Sequence, residues 1–460
     1  MAFERSGGGS WLKRILGLGL VVALVAGAMT FWAGRAPGLE LVPKLKGIGK
    51  RTPIEVKIDD VGRVERVRVE LVQGGEPKPI LEKAFTPHPA WAVWAAKRPE
   101  TFTVEIGRET VKGLRAGQAT VRVVAERAGN LLRQPAPAIA AVDLPVRLAP
   151  PDLAVLSTQH YVTQGGCEVV VYRVGESAIR DGVKAGDWWF PGFRLPGSDP
   201  RQRFALFAVP YDHESAADVR LVASDEVGNE AAVAFVDQFK PRPIHTDTIE
   251  VNDEFMARAV PEILSHSPEA ADQGNLLASY IEINRNLRKK NAATLRELAT
   301  KSEEKFLWTQ AFAPMANAAI TAAFADRRTY VYQGKTIDQE DHLGFDMASV
   351  EHDAIRASNA GKVALARYFG IYGNAIVIDH GYGLMSLYGH LSTIEVKEGQ
   401  AVERGQEIGR SGKTGLAGGD HLHFTMLLAG LPVRPVEWWD PHWIRDRIAR
   451  KLGAALPYAG

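Results

Sequence analysis

Hydrophobic and polar residues alternate along much of the first half of the chain. The alternation is strict at residues 66–71 and 101–106, and strand-like periods recur from about Pro37 to about Phe239. Alternate residues of a strand point to opposite faces, so this pattern is typical of half-buried strands in antiparallel sheets. It predicts a mainly β architecture for this region.

A weak internal repeat divides the β-rich region. Residues 121–130 match residues 219–229 with one inserted residue, and the first valines of the two copies lie 98 residues apart. Immunoglobulin-type β-sandwiches are about 100 residues long. We therefore predict two tandem Ig-like β-sandwiches, at residues 37–148 and 149–243, and interpret them as a spacer or docking arm.

The hydrophobic period becomes helical after Pro243. One stripe recurs at the spacing i, i+4, i+7 and i+11, formed by Leu276, Tyr280, Ile283 and Leu287. This spacing is that of one helix face. Residues 244–305 are predicted as a helical connecting or regulatory segment. Two interpretations stay open: a packing helix with a solvated basic face, and an element that covers the following site or binds a partner.

Short strands separated by glycines return from about Phe306 to about Trp439. The run from Asn374 to Asp379 is typical of a buried strand. Residues 306–445 are therefore predicted as a separate β domain, and residues 446–460 as a C-terminal helix or tail.

The N-terminus contains 20 uncharged residues, from Ile15 to Gly34. About 20 apolar residues are enough for a helix to cross the hydrocarbon core of a membrane. Arg5, Lys13 and Arg14 precede the stretch, and such a charge bias favours a cytoplasmic N-terminus with the body of the chain outside.

A cleaved signal peptide is the alternative, because residues 26–28 (Ala-Gly-Ala) resemble a cleavage site. The apolar run continues past them through Phe31 and Trp32, which favours an uncleaved anchor. Residues 1–36 are therefore predicted as a cytoplasmic N-terminus and a single transmembrane anchor in the cytoplasmic (inner) membrane. The body of the protein is then periplasmic.

Composition adds two limits to this picture. The 460 residues are 46% hydrophobic and 24% charged with a net charge of +1, so no global charge favours nucleic acid. Cys167 is the single cysteine, which excludes an intramolecular disulfide.

Candidate chemistry is concentrated near the C-terminus. His342 and Asp346 are four residues apart, and His421 and His423 are two apart, with His390 between the pairs. Catalytic zinc is normally held by three His or carboxylate ligands and keeps one position for water. The spacing provides four candidate ligands and a fifth polar group, but it does not assign their roles.

These segments resemble the lysostaphin-type zinc endopeptidases, which cut the peptide cross-links of peptidoglycan. The resemblance extends over about 130 residues. It includes His342-x-Gly344-x-Asp346, Gly373-Asn374, Ile378-Asp-His-Gly381, Tyr388-Gly-His-Leu391, Gly399-x-x-Val402, Gly405, Gly409, Ser411-Gly-x-Thr-Gly415 and His421-Leu-His-Phe424.

The resemblance implies a small, mostly antiparallel β domain with its site in an open groove. It also implies that His342, Asp346 and His423 bind one zinc ion. His390 and His421 are then the catalytic pair that orients water and stabilises the oxyanion. Many relatives have Glu where this chain has Thr425, for which we expect a modest effect on the groove.

The function predicted from the sequence is a membrane-anchored zinc metalloendopeptidase that hydrolyses peptidoglycan cross-links. The alternative is a non-catalytic or latent wall-binding regulator that activates other cell-wall hydrolases. The expected partners are peptidoglycan and, through the N-terminal helix, the membrane, without nucleic acid.

Overall fold

The computed structural model describes residues 10–33, 35–89, 91–92, 94–129 and 134–460. Within this part of the chain the fold is mainly β with few helices, which confirms the predicted class. Two compact units are present. The first comprises Met1–Pro150 with Ser224–Glu230, and the second comprises Pro151–Ala223 with Ala231–Gly460.

The first unit begins with helix α1, Ser10–Ala33. Its segment Trp11–Met29 is long and apolar enough to cross a membrane, and none of this segment is buried. These properties agree with the predicted anchor. Arg5, with the rest of the predicted cytoplasmic N-terminus up to residue 9, lies outside the described residues, as does the side chain of Trp32.

The remaining elements of the first unit are strands. They are β1 (Leu39–Pro43), β2 (Thr52–Ile58), β3 (Val64–Gln73), β4 (Glu76–Ala84), β5 (Glu100–Ile106), β6 (Gly117–Arg127) and β7 (Ala138–Val146). They form antiparallel sheets with the orders β1-β2-β5 and β4-β3-β6-β7. Val67, Val69 and Leu71 on β3 are buried, as their alternation predicts, in a core shared by both sheets. The Ig-like topology stays a prediction.

The second β-rich region continues from residue 153. Its strands are β8 (Leu153–Val155), β9 (Tyr161–Thr163), β10 (Cys167–Val174), β11 (Ala178–Ala185), β12 (Trp188–Pro191), β13 (Phe193–Arg194), β14 (Gln202–Ala208), β15 (Arg220–Asp225), β16 (Glu230–Val233) and β17 (Gln238–Lys240). The sheet orders are β13-β14-β10-β8, β12-β11-β15-β16 and β17-β9.

A helical segment follows strand β18 (Thr246–Glu250). It consists of α2 (Asp253–His266), α3 (Leu276–Glu282), a π-helical turn (Ile283–Leu287) and α4 (Arg288–Ala299). Asn252 and Asn275 cap α2 and α3, each accepting a backbone N–H with its side-chain oxygen. Tyr280, Ile283 and Leu287 of the predicted stripe are buried, whereas Leu276 is exposed.

The C-terminal region is built on a large antiparallel sheet. Its strands are β19 (Ala319–Ala322), β20 (Asp326–Tyr332), β21 (Lys335–His342), β22 (Phe345–Ala348), β23 (Ala354–Arg356), β24 (Gly361–Tyr368), β25 (Asn374–Gly381), β26 (Leu384–Leu391), β27 (Thr393–Ile394), β28 (Ala401–Val402), β29 (Glu407–Arg410), β30 (Leu422–Leu428) and β31 (Leu431–Val433). The large sheet has the order β19-β22-β30-β26-β25-β24-β28, with β31 paired to β30. Two smaller sheets have the orders β18-β20-β21 and β23-β29-β27.

Short helical elements end the chain. They are α5 (Pro435–Trp439), α6 (Pro441–Trp443), a π-helical turn (Ile444–Ala449), α7 (Arg450–Leu452) and a 3₁₀ turn (Gly453–Ala455). Ile444, Ile448 and Leu452 of this run are buried at a spacing of four residues, which is typical of one face of a helix.

The second β-rich region shares its core with the C-terminal region. Phe204 contacts both Phe306 and Tyr382, with ring centroids 5.8 Å and 5.0 Å away. The Glu437 carboxylate accepts the backbone N–H of Cys167 at 2.8 Å. Apart from Ser224–Glu230, the region therefore belongs to one compact unit with the C-terminal region. A separate spacer was expected, and the difference arises because the aromatic side chains of the region share a core with the C-terminal region.

Candidate metal centre

Three side chains meet at one point of the C-terminal region. Nε2 of His342 lies 2.9 Å from Oδ1 of Asp346 and 3.2 Å from Nδ1 of His423. Nδ1 of His423 also lies 2.9 Å from Oδ1 of Asp346. Two imidazole nitrogens and one carboxylate oxygen directed at a common centre are the donor set of a catalytic zinc site with an open position.

Strand pairing brings these residues together from distant parts of the chain. His342 ends β21, Asp346 lies on β22 and His423 lies on β30. In the register of β22 with β30, Asp346 is directly opposite His423. Paired residues of an antiparallel sheet have adjacent side chains, which explains the contact across 77 residues of sequence.

Gly344, between the first two ligands, is explained by the same geometry. A Cβ added there would lie 2.6 Å from Cε1 and Nε2 of the His423 ring and 2.7 Å from the Thr425 hydroxyl. A side chain at this position therefore displaces the ring. The glycine is a packing requirement of the site and needs no chemical role.

The outer nitrogens of both ligand histidines have partners that fix the ring orientation. Nδ1 of His342 donates to the carbonyl of Ala323 at 3.0 Å. Nε2 of His423 donates to the Thr425 hydroxyl at 3.0 Å, and that hydroxyl donates to the carbonyl of Leu343 at 2.9 Å. Each ring therefore keeps its inner nitrogen unprotonated for a metal.

Arg328 on β20 holds the carboxylate ligand from its other side. Its Nη2 donates to Oδ2 of Asp346 at 2.9 Å, and both side chains are largely buried. This contact leaves Oδ1 for the histidines. Arg328 thus orients the carboxylate in the way that outer partners of metal ligands do.

His390 and His421 flank the cluster. Nδ1 of His390 donates to the carbonyl of Thr414 at 2.8 Å, and Nδ1 of His421 donates to that of Gly419 at 2.9 Å. Their ring centroids are 4.9 Å apart, and Nε2 of His421 lies 3.5 Å from Oδ1 of Asp346. Both side chains therefore keep Nε2 for contacts in the pocket, so all five predicted site residues lie together.

His390 has an uncommon backbone conformation. Its φ is +63°, in the left-handed region that non-glycine residues rarely adopt. Such conformations cost free energy and concentrate at functional sites, where the surrounding structure maintains them. The strain is a second reason to regard His390 as part of the site.

Burial and mutual contacts set the charge state of the cluster in the absence of a metal ion. Burial opposes ionisation of Asp346, but its close contacts with His342, His421 and His423 hold the pKa of its carboxyl well below the usual value. Burial lowers the pKa of His423 to about 4, although Asp346 opposes that effect. The cluster therefore favours a carboxylate with a neutral His423, which is the protonation state needed for metal binding.

A pocket of about 380 Å³ adjoins the cluster, and the helical segment forms one of its walls. Phe255, Tyr280, Asn284 and Arg288 line it opposite the site histidines. Tyr280 and Ile283 also share a core with Tyr330 and Ile371 of the C-terminal region. The segment is thus a packed wall of the pocket.

The glycine-rich loop between β29 and β30 is held by hydrogen bonds. The Thr414 hydroxyl accepts the N–H of Asn374 at 2.9 Å and donates to the carbonyl of Leu391 at 2.9 Å. Glu262 of α2 accepts the N–H of Gly415 at 2.9 Å. The loop is therefore fixed between the sheet and the helical segment, and it positions the carbonyls that orient His390 and His421.

Sequence reasoning missed Arg328 and the supporting role of Thr425. No short motif marks Arg328, which precedes Asp346 by 18 residues. Asp326 pairs with His342 in the β20–β21 hairpin, and this pairing brings Arg328 near the ligands. Thr425 follows His423 by two residues, so their side chains lie on the same face of β30. The alternation of side chains along β30 was therefore the sequence signal from which the supporting role of Thr425 could have been found.

Together, the converging donors, the two flanking histidines and the adjoining pocket define a site suited to metal-assisted hydrolysis. Comparisons with known proteins agree. Residues 340–435 match the profile of Peptidase family M23.

Three similar proteins illustrate the match. Peptidoglycan DD-endopeptidase ShyA of Vibrio cholerae serotype O1 is 43% identical over 96 residues, which are 21% of this chain and 22% of that protein. Murein hydrolase activator NlpD of Salmonella dublin is 32% identical over 131 residues, which are 27% of this chain and 34% of that protein. The lysostaphin catalytic domain of Staphylococcus simulans is 23% identical with a TM-score of 0.21, covering 31% of this chain and 96% of that one.

The chain therefore carries a Peptidase family M23 domain at its C-terminus, and the resemblance to lysostaphin-type peptidases is confirmed. The chain spans about a fifth of the length of ShyA and about a third of the length of NlpD.

Proposed function

We propose that the protein is a membrane-anchored zinc metalloendopeptidase that hydrolyses the peptide cross-links of peptidoglycan. The observation that carries the proposal is the complete cluster of His342, Asp346 and His423, flanked by His390 and His421. One zinc ion held by the first three residues would activate a water molecule and polarise the scissile carbonyl.

The protein side chains have separate tasks in this proposal. His390 and His421 donate Nδ1–H to loop carbonyls, so Nε2 of each ring faces the pocket, as an acceptor when the ring is neutral and as a donor when the ring is protonated. One Nε2 accepts the proton of the attacking water, and the protonated ring of the other donates to the oxyanion. Arg328 and Thr425 keep the Asp346 and His423 side chains in place.

The similarity to ShyA supports peptidoglycan as the substrate, since that relative is a peptidoglycan DD-endopeptidase by name. Helix α1 supports an extracytoplasmic body held at the cytoplasmic membrane. The proposed arrangement places the pocket on the side of the membrane where the cell wall lies.

A regulator that activates other wall hydrolases is the second candidate, because NlpD is named as such an activator. The full donor set favours catalysis, since a purely scaffolding role does not require three converging metal-binding atoms with oriented outer nitrogens. The two candidates differ in whether the purified protein cuts the wall by itself.

The test uses the full chain in nanodiscs, incubated with purified sacculi and one equivalent of zinc, with and without a chelator. We expect mass spectrometry to find cleaved cross-links only when zinc is present. His423→Ala should remove the bound metal and lower the rate of hydrolysis by more than about 100-fold. Losing a residue that only supports a metal ligand lowers activity by at most about 100-fold, so a larger loss identifies His423 as a ligand itself.

His442→Ala is the matched control, because His442 is exposed and does not line the pocket. Its ring accepts a hydrogen bond from Arg445. It should retain both metal and activity. If the wild-type chain binds zinc but cuts no sacculus, while it stimulates another wall hydrolase, the regulator replaces the peptidase. Hydrolysis retained by His423→Ala would show that the cluster is not the active site.

A further inference from the structure

Two tryptophans of the first unit are exposed and lie against each other. The side chains of Trp91 and Trp94 are 66% and 71% exposed, and their ring centroids are 5.8 Å apart. Exposed aromatic pairs are uncommon on a soluble surface. Tryptophan is favoured where an apolar ring and a polar N–H meet a boundary between apolar and aqueous phases.

The loop that carries the pair is held at both ends. The N–H of His88 donates to the carbonyl of Gly62 at 2.7 Å, and the N–H of Val61 donates to the carbonyl of Arg98 at 2.8 Å. Between these points the N–H of Ala92 donates to Pro89 and that of Ala95 donates to Ala92. The tryptophans thus lie in the β4–β5 connection, which is hydrogen-bonded to the β2–β3 connection.

The β2–β3 connection also holds the chain where it leaves helix α1. Gly38 and Asp59 exchange backbone and side-chain hydrogen bonds, of 3.1 Å from the Asp59 N–H and 2.6 Å to its carboxylate. Gly38 is five residues beyond Ala33, the last residue of α1. Five residues of fully extended chain span at most about 18 Å. The tryptophan loop is therefore tied to a point close to the end of the helix.

A shared pocket shows that the two segments are neighbours. Residues 35–37 line a cavity of about 590 Å³ together with Ala92, Ala95 and Ala96. If α1 crosses a membrane, this geometry brings the loop to the membrane surface.

The charges near the pair suit an anionic surface. Lys97 and Arg98 are exposed directly after the tryptophans. The carboxylates of Asp59 and Asp60 lie in the same cavity wall, where the cationic side chains of Arg35, Arg63 and Lys97 outnumber them. Tryptophan with adjacent basic residues is the composition of segments at the headgroup level of anionic membranes.

We propose that Trp91 and Trp94, with Lys97 and Arg98, bind the anionic phospholipid surface of the membrane that α1 crosses. This inference rests on the proposed anchoring by α1. The contact holds the first β-rich region against the lipid surface, so that this region is a docking element at the membrane.

The test depends on the burial of the single native cysteine, Cys167. Cys167 is 1% exposed, so a spin label added to the full chain reacts at an introduced cysteine. The Trp94→Cys variant is spin-labelled and placed in nanodiscs of phosphatidylethanolamine and phosphatidylglycerol. The rate at which the label collides with a water-soluble nickel chelate is then compared with the rate at which it collides with oxygen. Ile179→Cys, at an equally exposed position of the second unit, is the matched control.

We expect the label at position 94 to collide with nickel several-fold less often than the label at position 179. The difference should shrink without phosphatidylglycerol, or when Lys97 and Arg98 are both changed to Gln. Equal nickel access at positions 94 and 179 overturns the inference. So does protection that appears only after sacculi are added, because the pair then binds the wall.

Leu18→Cys in α1 separates the failure of this inference from the failure of the anchor. A label there should be reached by oxygen and protected from nickel. If position 18 is protected while position 94 is as open as position 179, the anchor stands and the surface contact is wrong. If position 18 is open to nickel, the anchoring and the inference both fail.

Discussion

The two β-rich regions share a sequence repeat but have different kinds of core. In the described part of the first region, residues 37–148, the buried hydrophobic cluster consists of aliphatic side chains from the strands of this region and their connections. The second region buries large aromatic residues, including Phe204 and Phe207, in a core that continues through Trp308 and Trp438 of the C-terminal region. A repeated strand pattern therefore does not tell whether a module is energetically independent.

Charged residues show the same contrast. Arg66 and Glu82 pair on the first region with side chains 49% and 51% exposed. Lys451 and Glu168 pair in the second unit with side chains 9% and 0% exposed. Water screens the first pair, whereas the second has been removed from water and depends on its partner.

The largest effect is expected from Phe204→Ala. Removing a buried phenylalanine costs about 3–5 kcal/mol, and the shared core predicts that the metal centre is lost with it. Urea unfolding followed by fluorescence and by residual hydrolysis should show both midpoints shifted together.

Ile106→Ala provides the comparison in the first region, where Ile106 is fully buried. It should destabilise that region by about 2–5 kcal/mol but leave the midpoint of hydrolysis unchanged. A matching shift of that midpoint would mean that the two regions are not energetically separate.

Lys451→Met should cost about 3–5 kcal/mol, because it leaves Glu168 buried without its partner. Adding Glu168→Gln should restore much of the loss. Arg66→Met, at the exposed pair, should cost at most about 1 kcal/mol. Chemical denaturation at pH 8 measures all three, and similar costs for the two pairs would contradict the comparison.

At the metal centre, the buried pair of Arg328 with Asp346 should matter for binding. Arg328→Leu is expected to lower zinc affinity by about 10–100-fold, since it frees the carboxylate to rotate. Arg327→Leu is the control, because Arg327 is more exposed and pairs with Asp341. Competition with a chromophoric chelator gives both affinities, and an unchanged value for Arg328→Leu would remove its positioning role.

The smallest effect concerns pH. Burial raises the pKa of Glu437 to about 7, above the ordinary value of 4.5. The contribution of this group to stability is therefore complete below about pH 4.5 and is lost as the pH rises through about 7. Glu437→Gln should flatten the decline in unfolding free energy between pH 5 and pH 8.

A pH profile of stability that is unchanged by Glu437→Gln would show that this carboxyl group is not responsible for the decline.

Much of the molecule was predictable from local pattern. Alternation identified β3 and β5, and an uncharged run identified α1. The spacing of the histidine motifs identified five residues that the fold brings together, although their separate chemical roles stay proposals. Strand faces and helix faces repeat over two to four residues, so short stretches of sequence contain enough information to indicate them.

Tertiary structure alone decided the rest. The register of β22 with β30 makes Asp346 the neighbour of His423, and the β20–β21 hairpin brings Arg328 to the same carboxylate. Packing likewise turned the helical segment into a wall of the pocket and joined the second β-rich region to the C-terminal core. The physical reason is common to these cases. Each depends on contacts between residues far apart in the chain, whose pairing is set by how the whole core fills space and by no local period.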